Sequence, residues 1–248
     1  MEWVKDFYKK QSNFLKDCYL CDVDDFAKEK VSIIEKILDK KITSILDLGA
    51  GGGQNAIAMT LKGYSVTMIE LLEEFTTHAK KLAEEHNQDL KIIQGDFYKV
   101  KLDQVFDLIT YWDGFGIGTD EEQRLILKRI ASWIKNDGIV LIEVYTPWYA
   151  GYSEGKEMSF GDVKRRYGFD PLNSRWLDNW WKVGDEDQVI KQSLRCYSPA
   201  DFKLLIEGTG LKLDKIEPCL QYDGGERLYP GIEKLGKSIT YLAKMVKA

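Results

Sequence analysis

The sequence predicts an α/β protein, a mostly parallel sheet covered by helices on both faces and followed by a small antiparallel insertion. Three observations carry this expectation. Between residues 42 and 145, five short apolar runs alternate with amphipathic helical stretches, the rhythm of buried parallel strands joined by helices. Directly after the first run the chain breaks at Gly49, Gly51, Gly52 and Gly53, then resumes with helical spacing at Ala56, Ile57, Met59 and Leu61. At Pro147 the rhythm stops, and residues 147–197 hold Trp148, Trp176, Trp180 and Trp181 in a hairpin-like pattern.

The bounds agree with a single domain. A chain of 248 residues with 44% apolar content can fill one sizeable core. A formal charge of −5 with both signs scattered lacks the basic footprint of a nucleic-acid binder, so no nucleic-acid partner is expected. No apolar run approaches the ~20 residues of a membrane span, and the first residues lack a signal pattern. No membrane association is expected, therefore, and the four cysteines suit a reduced, cytoplasmic setting. Cys18 and Cys21 form a C-x-x-C, but Cys196 and Cys219 are too far apart to complete a zinc site. No metal is expected.

In chain order, residues 1–22 read as one or two short helices and 27–40 as a helix with its stripe at Val31, Ile34, Ile37 and Leu38. Together, 1–40 make an N-terminal helical cap. Residues 41–146 form the core: strand 42–48, the glycine turn, a helix stopped by Gly63, strand 64–69 ending at Glu70, and a charged helix over 73–87. Strand 90–94 leads to Gly95-Asp96-Phe97, and strand 106–111 stops at Trp112-Asp113-Gly114. A helix over 120–135 follows, and Asn136-Asp137-Gly138 turns the chain into a fifth strand, 139–145. Residues 147–197, with two strands (175–183 and 189–197) in a hairpin, are expected to form the lid and acceptor insertion together with the N-terminal helices. Ser198 and Pro199 start another helix as N-cap and first residue. Closing strands follow at 211–217 and 238–245, separated by a turn-rich run that includes Asp223-Gly224-Gly225-Glu226.

The functional signal starts at the glycine turn. A strand, a glycine turn and a helix let the backbone approach a bound nucleoside closely. At the end of the second strand, Glu70 can accept two ribose hydroxyls in a charge-assisted fork. Ligands of open α/β sheets bind at that edge. Asp47-Leu48-Gly49-Ala50-Gly51-Gly52-Gly53, Glu70, Gly95-Asp96-Phe97 and the helix–turn–strand over 127–145 together resemble the core of the class I S-adenosylmethionine-dependent methyltransferases. The segment 195–211 is similar to the post-core segment of small-molecule members. The resemblance implies a Rossmann-like, seven-stranded, mostly parallel sheet. It also implies S-adenosylmethionine as cofactor, held by Asp47, Gly49, Ala50, Gly51, Gly53, Glu70, Leu71, Asp96, Phe97, Tyr111 and Trp112, with Tyr8 reaching in from the first helix. Asp96 matches the position that meets the adenine amino group. A Rossmann dehydrogenase would need G-x-G-x-x-G/A, and the spacing here is G-x-G-x-G. Where nucleic-acid amine methyltransferases carry N/D-P-P-Y, this chain has Tyr111-Trp112-Asp113-Gly114, which argues for a small-molecule acceptor.

Methyl transfer from a sulfonium requires an acceptor held at ~3–3.5 Å and water kept out. A protonated acceptor also needs a base, and the candidates at the strand edges are Asp113, Tyr145 and Glu143; Asp113 and Tyr145 are the catalytic pair of choice. Trp148, Tyr152, Arg166 and Trp180 are the expected acceptor contacts. Two other functions fit the same residues: an enzyme using the cofactor for cyclisation or elimination, and a non-catalytic binder of the cofactor. The acceptor's identity and the oligomeric state are not legible in the sequence.

Overall fold

The computed structural model describes residues 2–38, 40–221, 227–228 and 232–248. The run 223–226 and the side chain of Cys18 lie outside the described residues. Helices α1 (Glu2–Phe14), α2 (Lys16–Tyr19) and α3 (Asp25–Ile37) precede strand β1 (Ser44–Leu48). There follow α4 (Gln54–Leu61), β2 (Ser65–Glu70), α5 (Glu73–Glu85), β3 (Leu90–Gln94), β4 (Phe106–Tyr111), α6 (Asp120–Trp133) and β5 (Ile134–Tyr145). Strands β1 to β5 pair in parallel in the order β3-β2-β1-β4-β5.

The apolar runs become strands because they are covered on both sides. Ile45, Leu46, Leu48, Leu108 and Ile109 are fully buried. Alternation sends Ile45 toward α3 and α4, and Leu46 and Leu48 toward α6. Burying each such side chain contributes about 1.5–3 kcal/mol. Helix α6 starts on a capping box, Thr119 with Glu122, and buries Ile126, Leu127 and Ile130 against the sheet.

The turn expected at 136–138 lies instead within β5. Ile134 already pairs with Phe106, and the register jumps so that Ile139 faces Leu108. The three residues form an irregularity inside the strand, where a Cβ on Gly138 would lie 2.5 Å from Ile134 Cγ1.

The insertion holds more structure than its sequence suggested. After α7 (Pro147–Ser153), four strands form a separate antiparallel sheet: β6 (Glu157–Phe160), β7 (Val163–Asp170), β8 (Arg175–Lys182) and β9 (Ile190–Arg195). Strands β6 and β7 escape a reading by hydropathy because an inward position of β7 is the charged Arg165. Its neutralising partner, Asp178, sits on β8. Phe7 of α1 packs with Val163, Trp180 and Ile190, so the N-terminal helix lies on this sheet's inner face.

The chain then returns to the main sheet. Helix α8 (Pro199–Ile206) begins at Ser198, whose hydroxyl accepts from the Asp201 N–H in a capping box. Strands β10 (Leu211–Gln221) and β12 (Thr240–Lys247) are antiparallel. They extend the order to β10-β12-β5 and complete seven strands, with a two-residue β11 (Arg227–Leu228) at the edge. A 3₁₀ turn, Ile232–Lys237, precedes β12. Among the described residues no helix is long and apolar enough to cross a membrane.

Candidate active site

A cavity opens at the C-terminal edge of β1, β2 and β4. It brings together Gly49, Gly51, Glu70, Leu71, Asp96, Phe97, Tyr111, Trp112 and Asp113, and α1 adds Tyr8. The loop after β1 starts with the Gly49 N–H donating to the Ile69 carbonyl at 2.9 Å. Gly49 and Gly51 adopt φ values of +61° and +57°. A Cβ at Gly51 would meet no atom within 4 Å, so any side chain there would occupy open space beside the cavity.

Glu70 is held by backbone. Its Oε2 accepts from the Gly51 N–H at 2.9 Å, and its Oε1 from the N–H groups of Leu71 at 2.7 Å and Leu72 at 2.9 Å. Burial nonetheless pushes its carboxyl up to about 6. The three hydrogen bonds work against that rise and the charge of Asp47 adds to it. Asp96 Oδ1 accepts from the Tyr98 N–H at 2.8 Å, so this carboxylate braces its own turn while facing the cavity. Phe97 meets the Tyr111 ring edge-on at 5.5 Å. Tyr111 donates to the Gly114 carbonyl at 2.8 Å, and burial raises its phenol well above the ordinary value.

Asp47, Ala50 and Gly53 do not line the cavity. Asp47 lies beneath the loop, fully buried, with Oδ1 accepting from Thr110 Oγ1 at 2.7 Å. Its Oδ2 is buried without a partner among the described residues, and desolvation pushes this carboxyl up to about 6. Ala50 packs in the core under α3. Gly53 faces α5: a Cβ there would come within 2.6 Å of Ala79 Cβ. Its role is close helix packing.

The two catalytic candidates meet. Tyr145 Oη donates to Asp113 Oδ1, and Asp113 lines the cavity in a left-handed conformation, φ +56°. Tyr145 itself is not among the residues lining the cavity. Glu143 lies deeper in β5, where it accepts from Thr240 Oγ1 at 3.0 Å. The Tyr8 hydroxyl accepts from Gln192 Nε2 at 3.0 Å, which ties α1 to β9.

None of the four expected acceptor contacts lines this cavity. Trp148 is half-buried on α7, and Tyr152 is 72% exposed with the Lys156 ammonium 3.5 Å from its ring. Arg166 points outward, paired with Glu157. Strand alternation turns its neighbour Arg165 to the inner face instead, where both oxygens of the buried Asp178 bind it. Trp180 shares that inner face, 4.5 Å from Arg165. The sequence reading missed Val4, Tyr19, Leu72, Phe75, Tyr98 and Ile117 of the cavity wall. Tyr19 stacks on Phe75 at 5.6 Å, and its carbonyl accepts from Gln54 Nε2 at 2.9 Å. Val4, Tyr19 and Phe75 come from helices α1, α2 and α5 and have no local signal, whereas Leu72 and Tyr98 directly follow the strand-end residues already read and Ile117 lies in the loop after β4.

The lining chemistry is one-sided. Glu70, Asp96 and Asp113 face the space, and among the described residues no lysine, arginine or histidine lines it. A pyrophosphate would find no countercharge there, whereas a sulfonium and an ammonium would find carboxylates and ring faces. The residues therefore fit S-adenosylmethionine better than a dinucleotide.

Comparison with known proteins agrees. A family model described as a methyltransferase domain matches residues 45–138. The ubiquinone biosynthesis O-methyltransferase of Rickettsia bellii is 32% identical over 189 residues, covering 75% of this chain and 70% of that protein. A dTDP-3-amino-3,4,6-trideoxy-alpha-D-glucopyranose N,N-dimethyltransferase of Streptomyces venezuelae is 26% identical over 217 residues, covering 80% and 89%. The matches to two other relatives, a Geobacillus methyltransferase and the Rickettsia akari ubiquinone biosynthesis O-methyltransferase, each span 43% of the relative's length. The solved S-adenosylmethionine-dependent methyltransferase of Clostridium acetobutylicum superposes with a TM-score of 0.73 at 15% identity, covering 97% of this chain and 99% of that one. By its matched core, strand order and glycine loop, the chain belongs to the class I S-adenosylmethionine-dependent methyltransferase family.

Proposed function

We propose that this protein moves a methyl group from S-adenosylmethionine to a small-molecule acceptor at nitrogen, oxygen or carbon, in the cytoplasm. The supporting observation is the ring-lined cavity with three carboxylates and, among the described residues, no cationic side chain, set against the glycine loop. Glu70 is assigned to the ribose hydroxyls, Asp96 and Phe97 to the adenine, and Gly49 and Gly51 to the close approach of the backbone. Tyr8, Tyr111 and Trp112 surround the methionine end. The cofactor supplies an electrophilic methyl on a cationic sulfur. What the chain must add is position, exclusion of water and a place for the acceptor's proton. Asp113, oriented by the Tyr145 hydroxyl, is the group assigned to receive it. The relatives are named for methylation at oxygen and at nitrogen, which leaves the acceptor atom open.

Calorimetry with S-adenosylmethionine, paired with product analysis, tests this reading. Binding and release of S-adenosylhomocysteine are expected. Release of methylthioadenosine would instead mark cofactor cleavage for other chemistry, and binding without turnover of any amine, phenol or enol would leave a cofactor-binding protein. Absence of binding up to about 1 mM would sink all three.

A further inference from the structure

A wall of rings leads out of the cofactor cavity and ends in the open. It starts at Asp113, which accepts from Tyr145. The Tyr145 ring meets Trp176 edge-on at 5.1 Å, and Trp176 meets Tyr167 at 4.9 Å. The Tyr167 hydroxyl donates to the Met158 sulfur at 3.2 Å. Met158 is 41% exposed, and Tyr152, linked to Trp176 through Tyr149, is 72% exposed. Rings that served only to pin the antiparallel sheet to α7 would be covered along their whole length. Here only Trp176 is covered, Tyr145, Tyr149 and Tyr167 are half-buried, and Tyr152 is open.

Lys156 lies over Tyr152 at the outer rim, and a second cation is set among the inner rings. The Arg165 guanidinium lies 4.4 Å from the Tyr167 ring and 4.5 Å from the Trp180 ring. Its Nε and Nη2 donate to Asp178 at 2.8 Å and 2.6 Å. Among the described residues nothing pairs with its Nη1. A buried ion pair is poor value as packing, since apolar residues of the same volume hold a sheet together as well or better. What the pair offers is a rigid N–H edge whose charge Asp178 already cancels.

Building on the methyl-transfer reading above, we infer that this wall is the acceptor's binding surface and takes an uncharged molecule. Its flat, apolar body lies on the rings, and a carbonyl or hydroxyl oxygen accepts from Arg165 Nη1. A carboxylate or phosphate at Nη1 would stand beside the Asp178 carboxylate with no spare cation from Arg165, and would approach the acidic cavity as well. Tyr152 and Met158 form the adjustable rim, a thioether and an exposed ring that can follow different outlines.

The probes are 2-naphthol and 2-naphthoate, titrated calorimetrically into the full chain with and without saturating S-adenosylhomocysteine. 2-Naphthol is expected to bind at least about ten-fold more tightly than 2-naphthoate. The rim variant Tyr152→Ser/Met158→Ser should weaken 2-naphthol about five-fold or more while leaving S-adenosylhomocysteine affinity unchanged. The double variant Arg165→Met/Asp178→Leu, which removes the pair without stranding a charge, should erase the preference between the two probes. Equal or tighter binding of 2-naphthoate, binding of neither probe up to about 1 mM, or indifference to the rim variant would each overturn the assignment. If S-adenosylhomocysteine itself fails to bind, the cofactor reading falls, and the probe preference measured without it still decides this one.

Discussion

Glu70 would carry two opposed demands in the role proposed for it, since ionisation favours its accepting two hydroxyls and it is buried where ionisation is costly. In an unfolded chain its pKa lies near ~4.3, whereas the fold holds it at about 6. Between those values the native state binds more protons than the unfolded one. Its contribution to stability is therefore present at low pH and declines as pH rises through that window, by up to about 2 kcal/mol. Cofactor affinity should run the other way. Titrations from about pH 5 to about pH 7 are expected to show S-adenosylmethionine binding tighten. In Glu70→Gln the affinity should be flat with pH and about ten- to a hundred-fold weaker. A wild-type affinity that ignores pH would remove Glu70 from the ribose. The glycines of the loop separate just as cleanly. Gly51→Val puts a side chain into open space at φ +57°, so binding should be lost while melting falls only by the backbone strain of about 1–2 kcal/mol. Gly53→Ala drives a methyl to 2.6 Å from Ala79, so it should cost about 1–3 kcal/mol of stability and leave the affinity of the folded protein largely intact. Unfolding curves and calorimetry on the two variants would expose a swap of these roles.

At the scale of elements, the insertion after β5 is where the sequence misled most. Hydropathy marks β8, whose Trp176 and Trp180 point inward, but not β7, because Arg165 takes an inward position opposite Trp180. Its burial depends on Asp178, thirteen residues away in sequence and across a hairpin. Removing one partner should therefore be far worse than removing both. Arg165→Met leaves Asp178 buried at 3% exposure without its cation, and denaturant unfolding should show a loss of about 3–5 kcal/mol. Arg165→Met/Asp178→Leu should recover most of that. A single variant as stable as wild type would mean that water reaches Asp178. The core helices and strands were easier to read, since apolar period, caps and turn glycines are properties of a few neighbouring residues. Ser198 and Gly63 announced their boundaries in the chain itself.

For the whole molecule, the sequence alone determined the alternating core, the glycine loop and the placing of Glu70, Asp96 and Asp113 at strand ends. These follow from local patterns, and parallel strand ends gather at one edge whatever the details of packing. Only the tertiary structure decided which residues face the cavity. It turned Gly53 into a packing contact, sent Arg165 inward and Arg166 outward, and joined Tyr145 to Asp113 across 32 positions. It also laid α1 and α2 over the loop, with the Tyr8 hydroxyl on Gln192, 184 residues away. Such pairings have no local signature because each partner's burial exists only once the other is in place. The glycine loop and strand ends lie in a short stretch of chain, whereas the surface proposed for the acceptor is assembled from strands and helices that meet only in the folded molecule.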